Sequence, residues 1–387
     1  MFNARSLNSK DRLLHLHALL YSQAFDIVLI TETWLNNGTP SSLLDPDNRY
    51  NVIRCDRQHG QAGGVCAFVS KFLKVVEMPV TQHFPTLEIC CFDVLFCRAK
   101  CRIFTAYRRP EYDCASVEYM TQLVACLTKF TSTKTPCIIA GDLNCPGVDW
   151  INSVSPSDNV QVKLMEFATA NGFVQAVPEP TRLSNTLDII LTNEPAIICR
   201  VAVEAPFTSK CDHRSVNFCI SLEGIGDGPS GSNEQSSPPT KVYLWKDADF
   251  EGMSNYLSQV RWLDMLAVNL TPNSIWHAFR STINDAIETF VPVRLRPATA
   301  NELRKKITYP RKIRRAISRK SCLWRKLKAN PGDTKIESSY RNAETRCRSL
   351  MRNFELKRES EVILSNNIGS FYKFETSACR ASEVSAP

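Results

Sequence analysis

The stretch CIIAGDLN, residues 137–144, decides how the first part of the chain folds. Its first four residues are apolar and of strand length, and Gly141 then permits a sharp exit from a buried strand. The carboxylate of Asp142 and the amide of Asn144 stand two residues apart and can point to the same side. An Asx turn that merely closes a strand is the alternative interpretation, so the neighbouring segments carry the decision.

Two further polar clusters adjoin strand-like runs in the same way. Glu32 follows the apolar run 26–31, and Asp212-His213 precedes the apolar run 215–220. A carboxylate at the lip of a sheet can hold Mg²⁺ and still leave positions for water and phosphate. The alternatives are a helix N-cap for Glu32 and a plain surface location for the other two residues.

Asp188 is a charge inside the otherwise apolar run 187–191. Burial of a carboxylate is costly unless it has a partner, and a histidine would both compensate and be held in one tautomer. His213 is the predicted partner, because the surroundings of the other five histidines do not suit this role. The alternative is that Asp188 caps a local turn.

Arginines complete a predicted phosphate site. Arg54 and Arg57 precede the glycine-rich stretch 60–64, and Tyr107-Arg108-Arg109-Pro110 follows another strand-like run. Guanidinium groups match the geometry of phosphate oxygens. Each arginine taken alone could equally be a solvated surface charge.

The order of elements predicts an α/β fold in which two packed sheets form a sandwich flanked by helices. We expect this domain over residues 1–222 and a Gly/Ser/Pro/Asn-rich linker over 223–240. A helical connector follows over 241–300, with an amphipathic helix starting at Thr271-Pro272. Residues 301–387 form a mostly helical, basic extension that is broken near Pro310 and Pro331.

The charge is unevenly distributed. Residues 301–360 contain 19 Lys+Arg against 6 Asp+Glu, a balance of +13, which leaves −5 of the total of +8 for the rest. The basic segment suits a polyanionic partner such as DNA or RNA, and the acidic remainder suits a bound cation. Several of the 16 cysteines lie in strand-like runs and are predicted to be small buried hydrophobes (Cys66, Cys90, Cys91, Cys137, Cys219). We find no signal peptide and no apolar run long enough for a membrane span.

Together these motifs resemble the endonuclease/exonuclease/phosphatase superfamily, the group of DNase I and the apurinic endonucleases. More narrowly, the chain is similar to the apurinic-type endonuclease of LINE-type non-LTR retrotransposons. The matching stretches cover most of residues 1–222, at positions 3–7, 31–35, 54–57, 63–65, 107–110, 141–144, 187–193 and 211–213. A weaker likeness to the region that joins endonuclease and reverse transcriptase lies at 242–245, 249–250, 290–292 and 371–373.

The resemblance implies a DNase I-like fold, a Mg²⁺ cofactor with Mn²⁺ as an alternative, and an intracellular, nuclear DNA nickase. The nick would leave a 3′-hydroxyl that primes reverse transcription. It also implies roles by position: metal binding by Glu32, Asn3 and Asp212, water activation by Asp142, phosphate contacts by Asn144 and Tyr107, and orientation of His213 by Asp188.

Two departures from the family pattern bear on activity. Only Met1-Phe2 precede Asn3, so a first strand is expected to be missing and Asn3 to be poorly anchored. Cys211 stands where a serine is usual before Asp-His. The alternatives to an active nuclease are an inactive remnant that binds nucleic acid through its basic tail, and a phosphatase acting on a small phosphoester.

Overall fold

The structure, a computed structural model, places most of the chain in two compact units. One unit comprises Met1–Pro229 together with Lys306–Pro387, and the other comprises Ser230–Lys305. The residues that the structure describes are 1–23, 25–57, 62–96, 99–131, 135–150, 152, 154–221, 240–244, 247–267, 272–296 and 309–364. The predicted linker at 223–240 and the motif at 371–373 lie almost entirely outside them.

Two sheets form the centre of the first unit. The four-stranded sheet has the order β1-β2-β4-β3, with β1 (Phe2–Asn3), β2 (Ile27–Thr31), β3 (Tyr50–Cys55) and β4 (Val65–Ser70). The six-stranded sheet has the order β5-β6-β7-β8-β10-β9, with β5 (Lys74–Met78), β6 (Glu88–Phe96), β7 (Ala99–Tyr107), β8 (Cys137–Asp142), β9 (Val174–Gln175) and β10 (Asp188–Thr192). A separate antiparallel pair is formed by β11 (Ile198–Pro206) and β12 (Arg214–Ile220).

Helices cover the outer faces of both sheets. They are α1 (Lys10–Gln23), α2 (Ser41–Leu44), α3 (Val80–His83), α4 (Cys114–Phe130) and α5 (Asn159–Ala170). Side chains alternate along each strand. Ile138 and Ala140 therefore enter the core that contains residues of both sheets, whereas Cys137 and Ile139 pack with residues of α4 and α5. This sandwich with outer helices confirms the predicted fold class.

The cysteines follow the prediction with one exception. All fourteen cysteines in the described residues are free thiols, and Cys66, Cys90, Cys91 and Cys137 are buried. Cys219 is exposed instead, because β12 belongs to a two-stranded sheet in which alternate positions face outward.

The second unit is small and mainly helical. It contains α6 (Phe250–Gln259), α7 (Trp262–Ala267) and α8 (Pro272–Phe290), and α8 begins where the sequence predicts it. Two short strands, β13 (Thr240–Tyr243) and β14 (Val293–Arg296), pair antiparallel beside these helices. None of the helices in the described part of the chain has the length and apolar character that crossing a bilayer requires.

Two long helices, α9 (Arg311–Ala329) and α10 (Thr334–Leu364), form a C-terminal hairpin within the first unit. Pro310 directly precedes α9, and Pro331-Gly332 lies in the turn, which matches the predicted breaks. The hairpin packs on α1 through an apolar cluster that contains Ala18, Ile313 and Met351. The described part of the basic segment, from residue 309 onward, therefore belongs to the same compact unit as the sandwich.

Candidate active site

Three neighbouring strands of the six-stranded sheet bring the predicted catalytic side chains together. Asp142 on β8 lies opposite Tyr107 on parallel β7 and directly opposite Asp188 on antiparallel β10. Gly141 lies inside β8, and a Cβ there would stand 1.9 Å from the carbonyl oxygen of Ala106 on β7. The glycine thus permits the close approach of β7 instead of an exit from the sheet. The backbone turns at Asn144, which has a φ of 48°.

Asn3 links the two sheets. Its Nδ2 donates to Glu32 Oε1 and to Asp142 Oδ2, at 2.9 Å each, and the residue is 2% exposed. The expectation that Asn3 is poorly anchored is wrong. Strand β1 pairs in parallel with Ile30 and Thr31 of β2, and this pairing holds the backbone of Asn3 in place.

Glu32 sits at a strained position immediately after β2. Its φ is 51°, an uncommon conformation for a non-glycine residue that is often associated with functional sites. The loop is held by Gly63 and Gly64, whose carbonyls accept from the backbone N–H of Trp34 (2.8 Å) and Thr33 (3.2 Å). Gly63 and Gly64, for which the sequence predicts a phosphate site, therefore also support the loop that carries Glu32.

His213 and Asp188 form a buried pair. His213 Nδ1 lies 2.8 Å from Asp188 Oδ2 and 3.6 Å from Asp142 Oδ2. Burial disfavours the charged imidazole, but the hydrogen bond and charge of Asp188 raise the pKa of His213 to about 9. Burial and the adjacent Asp188 raise the pKa of Asp142 above its usual value. We therefore expect a protonated His213 at neutral pH.

The cluster has more carboxylates than cations. Among the described residues, the hydrogen bonds and ion pairs of Glu32, Asp142 and Asp188 include one ionisable base, His213. Asp188 Oδ1 is buried and has no hydrogen-bond partner in the described part of the chain. One ligand atom from each of Asp142, Asp188 and His213 lies within 4.8 Å of the others. A protonated His213 cannot bind a metal, so the groups that fit a hard divalent cation are the carboxylates of the cluster, whose burial without a cation is costly.

Asp212, predicted as a third metal ligand, is placed differently from Glu32 and Asn3. Its carboxylate is 43% exposed and pairs with Arg182 at 2.7 Å and with Arg5 at 3.8 Å. Partial burial opposes ionisation, but a hydrogen bond from its own backbone N–H, followed by the charges of Arg182, His213 and Arg5, holds the pKa of Asp212 below its usual value. Asp212 follows Cys211, whose Sγ donates to the Ala4 carbonyl.

The two predicted phosphate contacts, Asn144 and Tyr107, are both buried at the edge of the cluster. Asn144 Nδ2 donates to the Arg108 carbonyl at 2.7 Å, and its backbone N–H donates to Asp142 Oδ1 at 3.3 Å. Burial, followed by the charges of Glu32 and Asp142, raises the pKa of Tyr107 far above its usual value. Tyr107 is therefore a neutral phenol at any physiological pH.

Arg108 supports the turn after β8. It is 1% exposed, and its guanidinium donates to the carbonyls of Leu143 (2.8 Å), Asn144 (2.6 Å) and Glu111 (2.7 Å). These bonds commit its donors to the backbone, although the sequence predicts a phosphate contact. The motif itself gives no signal of this role, because the partners lie up to 36 residues away.

All four arginines that the sequence predicts to bind phosphate line one surface groove of about 1110 Å³. Arg54 pairs with Asp56, and Arg57 donates from Nε to Glu88 at 2.7 Å. Arg109 is more available, since its side chain is 49% exposed and its distance to Glu111 is 3.6 Å.

Comparison with known proteins finds a family model that matches part of this architecture. Residues 101–217 match a family model described as endonuclease-reverse transcriptase. The matched part of the first unit is therefore similar to the endonuclease/exonuclease/phosphatase superfamily. This confirms the resemblance and supports a nuclease or phosphoesterase activity. A search of curated proteins finds no match to the chain.

Several similar solved structures cover 57% of this chain. They include the endonuclease domain of TRAS1, a telomere-specific non-LTR retrotransposon, at 18% identity, 96% coverage of that chain and a TM-score of 0.44. An AP endonuclease from Archaeoglobus fulgidus has 15% identity, 98% coverage and a TM-score of 0.44. A 3′-5′ exonuclease from Neisseria meningitidis has 17% identity, 98% coverage and a TM-score of 0.43.

Proposed function

We propose that this chain is a divalent-metal-dependent endonuclease that nicks DNA and leaves a 3′-hydroxyl. One observation carries the proposal: Asn3 bridges Glu32 and Asp142 by hydrogen bonds, and Asp142 lies beside the Asp188–His213 pair. This is a compact set of groups that can bind a cation, align a water and stabilise negative charge.

Each side chain has a role that its surroundings support. Asp142 aligns and deprotonates the attacking water, and its raised pKa suits a general base. His213, held by Asp188, places positive charge near the phosphate oxygens on which charge develops. Asn144 and Tyr107 are proposed to hold the scissile phosphate.

Glu32 and Asn3 are the residues that would hold the cation, with Asp212 reaching it after release from its arginine partners. Bound Mg²⁺ or Mn²⁺ would offset the charge on the attacked phosphate and on the leaving 3′ oxygen. The excess of buried carboxylates supports this assignment.

DNA is the proposed substrate, with the arginine groove as its contact surface. Arg109 is the best placed for backbone phosphates, since Arg108 donates to carbonyls and Arg54 and Arg57 are paired with Asp56 and Glu88. The 3′-hydroxyl product would serve as a primer for reverse transcription in the nucleus, with a polymerase domain as the partner.

Plasmid nicking tests the proposal. Wild-type protein with supercoiled plasmid and Mg²⁺ should produce nicked circles that a DNA polymerase extends without phosphatase treatment, and EDTA should stop the reaction. His213→Ala should lower the rate by about 10²–10⁴-fold. His83→Ala, a substitution of an exposed histidine on α3, is the matched control and should nick like wild type. Equal rates for wild type and His213→Ala would overturn the proposal.

Two other results identify the alternatives. Salt-dependent DNA binding without nicking, weakened by Arg315→Gln and Arg319→Gln on the exposed face of α9, indicates a remnant that binds nucleic acid. Phosphate release from inositol phosphates without DNA cleavage indicates a phosphatase.

A further inference from the structure

The C-terminal hairpin reaches the loop that leads into His213. Glu344 of α10 is 2% exposed, and its Oε1 accepts a hydrogen bond of 2.8 Å from the backbone N–H of Ser209. Lys320 of α9 lies 3.7 Å from the same oxygen. A carboxylate buried this deeply is costly unless it is bonded, so the bond to Ser209 is a specific attachment.

Ser209 belongs to the short segment 207–211 between β11 and Asp212-His213. The segment is tightly tied: Cys211 N–H donates to Thr208 O at 2.9 Å, and Cys211 Sγ donates to Ala4 O at 3.3 Å. The attachment of Ser209 therefore restrains the backbone four residues before the imidazole.

A second attachment falls on the residue after His213. The guanidinium of Arg214 lies 5.9 Å from the ring centroid of Trp324, which is 9% exposed on α9. The backbone N–H of Arg214 donates to Thr181 O at 2.7 Å. The hairpin thus contacts one residue before His213 and one residue after it in the sequence, Ser209 and Arg214.

A third attachment reaches the segment before Asp188. Lys328 Nζ lies 2.7 Å from Glu179 Oε2 and donates to Val203 O at 3.1 Å. Two residues further, the buried Thr181 Oγ1 accepts from the backbone N–H groups of Leu187 and Asp188, at 3.1 Å each. Thr181 therefore connects the Lys328 contact to the start of β10.

We propose that the hairpin is a positioning element of the nuclease site, in which Glu344, Trp324 and Lys328 hold the two segments that carry His213 and Asp188. The effect on turnover rests on the proposed nuclease function, whereas the restraint of the two segments does not. None of the three side chains bonds to the catalytic cluster directly, so they act through Ser209, Arg214 and Glu179.

Three variants of α10 separate positioning from general packing. Glu344→Ala removes the acceptor for Ser209. Glu344→Gln keeps an amide oxygen as acceptor but removes the charge. Glu337→Ala, on the same helix, removes a carboxylate that pairs only with Arg341 among the described residues and is the matched control.

We expect hydrogen exchange, followed by mass spectrometry, to speed up about tenfold in peptides covering 207–214 in Glu344→Ala. Peptides from β6 and β7 should be unchanged. Glu344→Gln should restore most of the protection, and Glu337→Ala should match wild type. In the nicking assay, kcat of Glu344→Ala should fall about tenfold with KM for plasmid within twofold, because the reacting groups are misplaced while the arginine groove is intact.

Wild-type exchange in 207–214 for Glu344→Ala would overturn the proposal, and so would a rise in KM with unchanged kcat. If Glu344→Ala does not fold, Lys328→Gln replaces it, with faster exchange expected in peptides covering 179–188. If wild type does not nick, the nuclease function fails, and the exchange result alone decides whether the hairpin restrains these segments.

Discussion

Two pairs of charged residues face each other across neighbouring strands of the six-stranded sheet, and they differ in the signs of their charges. Asp93 on β6 lies directly opposite Arg102 on β7, whereas Asp142 on β8 lies directly opposite Asp188 on β10. All three aspartates are buried. The first pair joins opposite charges and the second joins like charges, which is destabilising at directly opposed positions.

The chemistry of the two pairs diverges accordingly. Arg102 donates to both oxygens of Asp93, at 2.6 and 2.8 Å. Burial opposes ionisation of Asp93, yet these bonds hold its pKa below 3.8. Asp142 has its pKa raised by burial and by Asp188. Like-charge pairs that are kept at a cost in stability cluster at functional sites, and this supports the role proposed for the second pair.

The largest expected effect is on the like-charge pair. Asp142→Asn should lower the nicking rate by about 10²–10⁴-fold, because the amide cannot accept a proton from water. The same change removes one of two opposed charges, so the free energy of unfolding at pH 7 should stay equal or rise by about 1 kcal/mol. Nicking and urea denaturation measure the two. A stability loss of several kcal/mol would mean that the Asp142 charge supports the fold.

The opposite-charge pair should behave in the reverse way. Arg102→Gln leaves Asp93 buried without its bidentate partner and removes the bond from Arg102 to the Phe130 carbonyl. We expect the free energy of unfolding to fall by about 3 kcal/mol, with the specific nicking activity of the folded fraction unchanged. If Arg102→Gln is as stable as wild type, or folds but does not nick, the Asp93–Arg102 pair does not serve stability alone.

The sequence was sufficient for the parts of the fold that depend on local patterns. Apolar periodicity predicts strands at 87–96, 102–107, 136–140 and 187–192, where the structure has β6, β7, β8 and β10. It predicts helices at 117–130 and 160–171, where the structure has α4 and α5. Helix α1 was not predicted, although Leu13, Leu16 and Leu20 have helical spacing, because histidines interrupt the pattern. Strand β5 is short and mostly exposed, so it gives little apolar signal.

The site could be predicted in part for the same reason. The residues at strand ends were identified by their positions beside apolar runs, and the structure brings Asn3, Glu32, Asp142, Asp188 and His213 together. The burial of Arg108 and the hydrogen bond between Ser209 and Glu344 could not be predicted. Arg108 bonds to a residue 36 positions away and Glu344 to a residue 135 positions away, and no local sequence pattern indicates either contact.

The pH dependence of stability tests whether Arg102 stabilises the ionised form of Asp93. Because the pKa of Asp93 is lowered on folding, the pair contributes stability above pH 3.8, and this is lost as pH falls through the folded value. The gap in unfolding free energy between wild type and Arg102→Gln should be largest at pH 7 and shrink as pH falls. Burial without Arg102 favours protonated Asp93 in the variant, and below pH 4 the wild type also loses the ionised form that Arg102 stabilises. Urea denaturation at pH 7, 5, 4 and 3.5 measures it. A gap that widens in acid would show that the ionised form of Asp93 is not what Arg102 stabilises.

The smallest expected effect comes from a second cation beside the same aspartate. Lys100 Nζ lies 3.4 Å from Asp93 Oδ2, but its side chain is 43% exposed, against 12% for Arg102. An exposed ion pair is screened by water, so Lys100→Gln should cost less than about 1 kcal/mol. That cost should also diminish in 1 M salt, whereas the Arg102→Gln loss should persist. If Lys100→Gln were as costly as Arg102→Gln, the net charge around Asp93 would matter more than bidentate bonding and burial. The difference from Asp142–Asp188 would then lie only in the number of nearby positive charges.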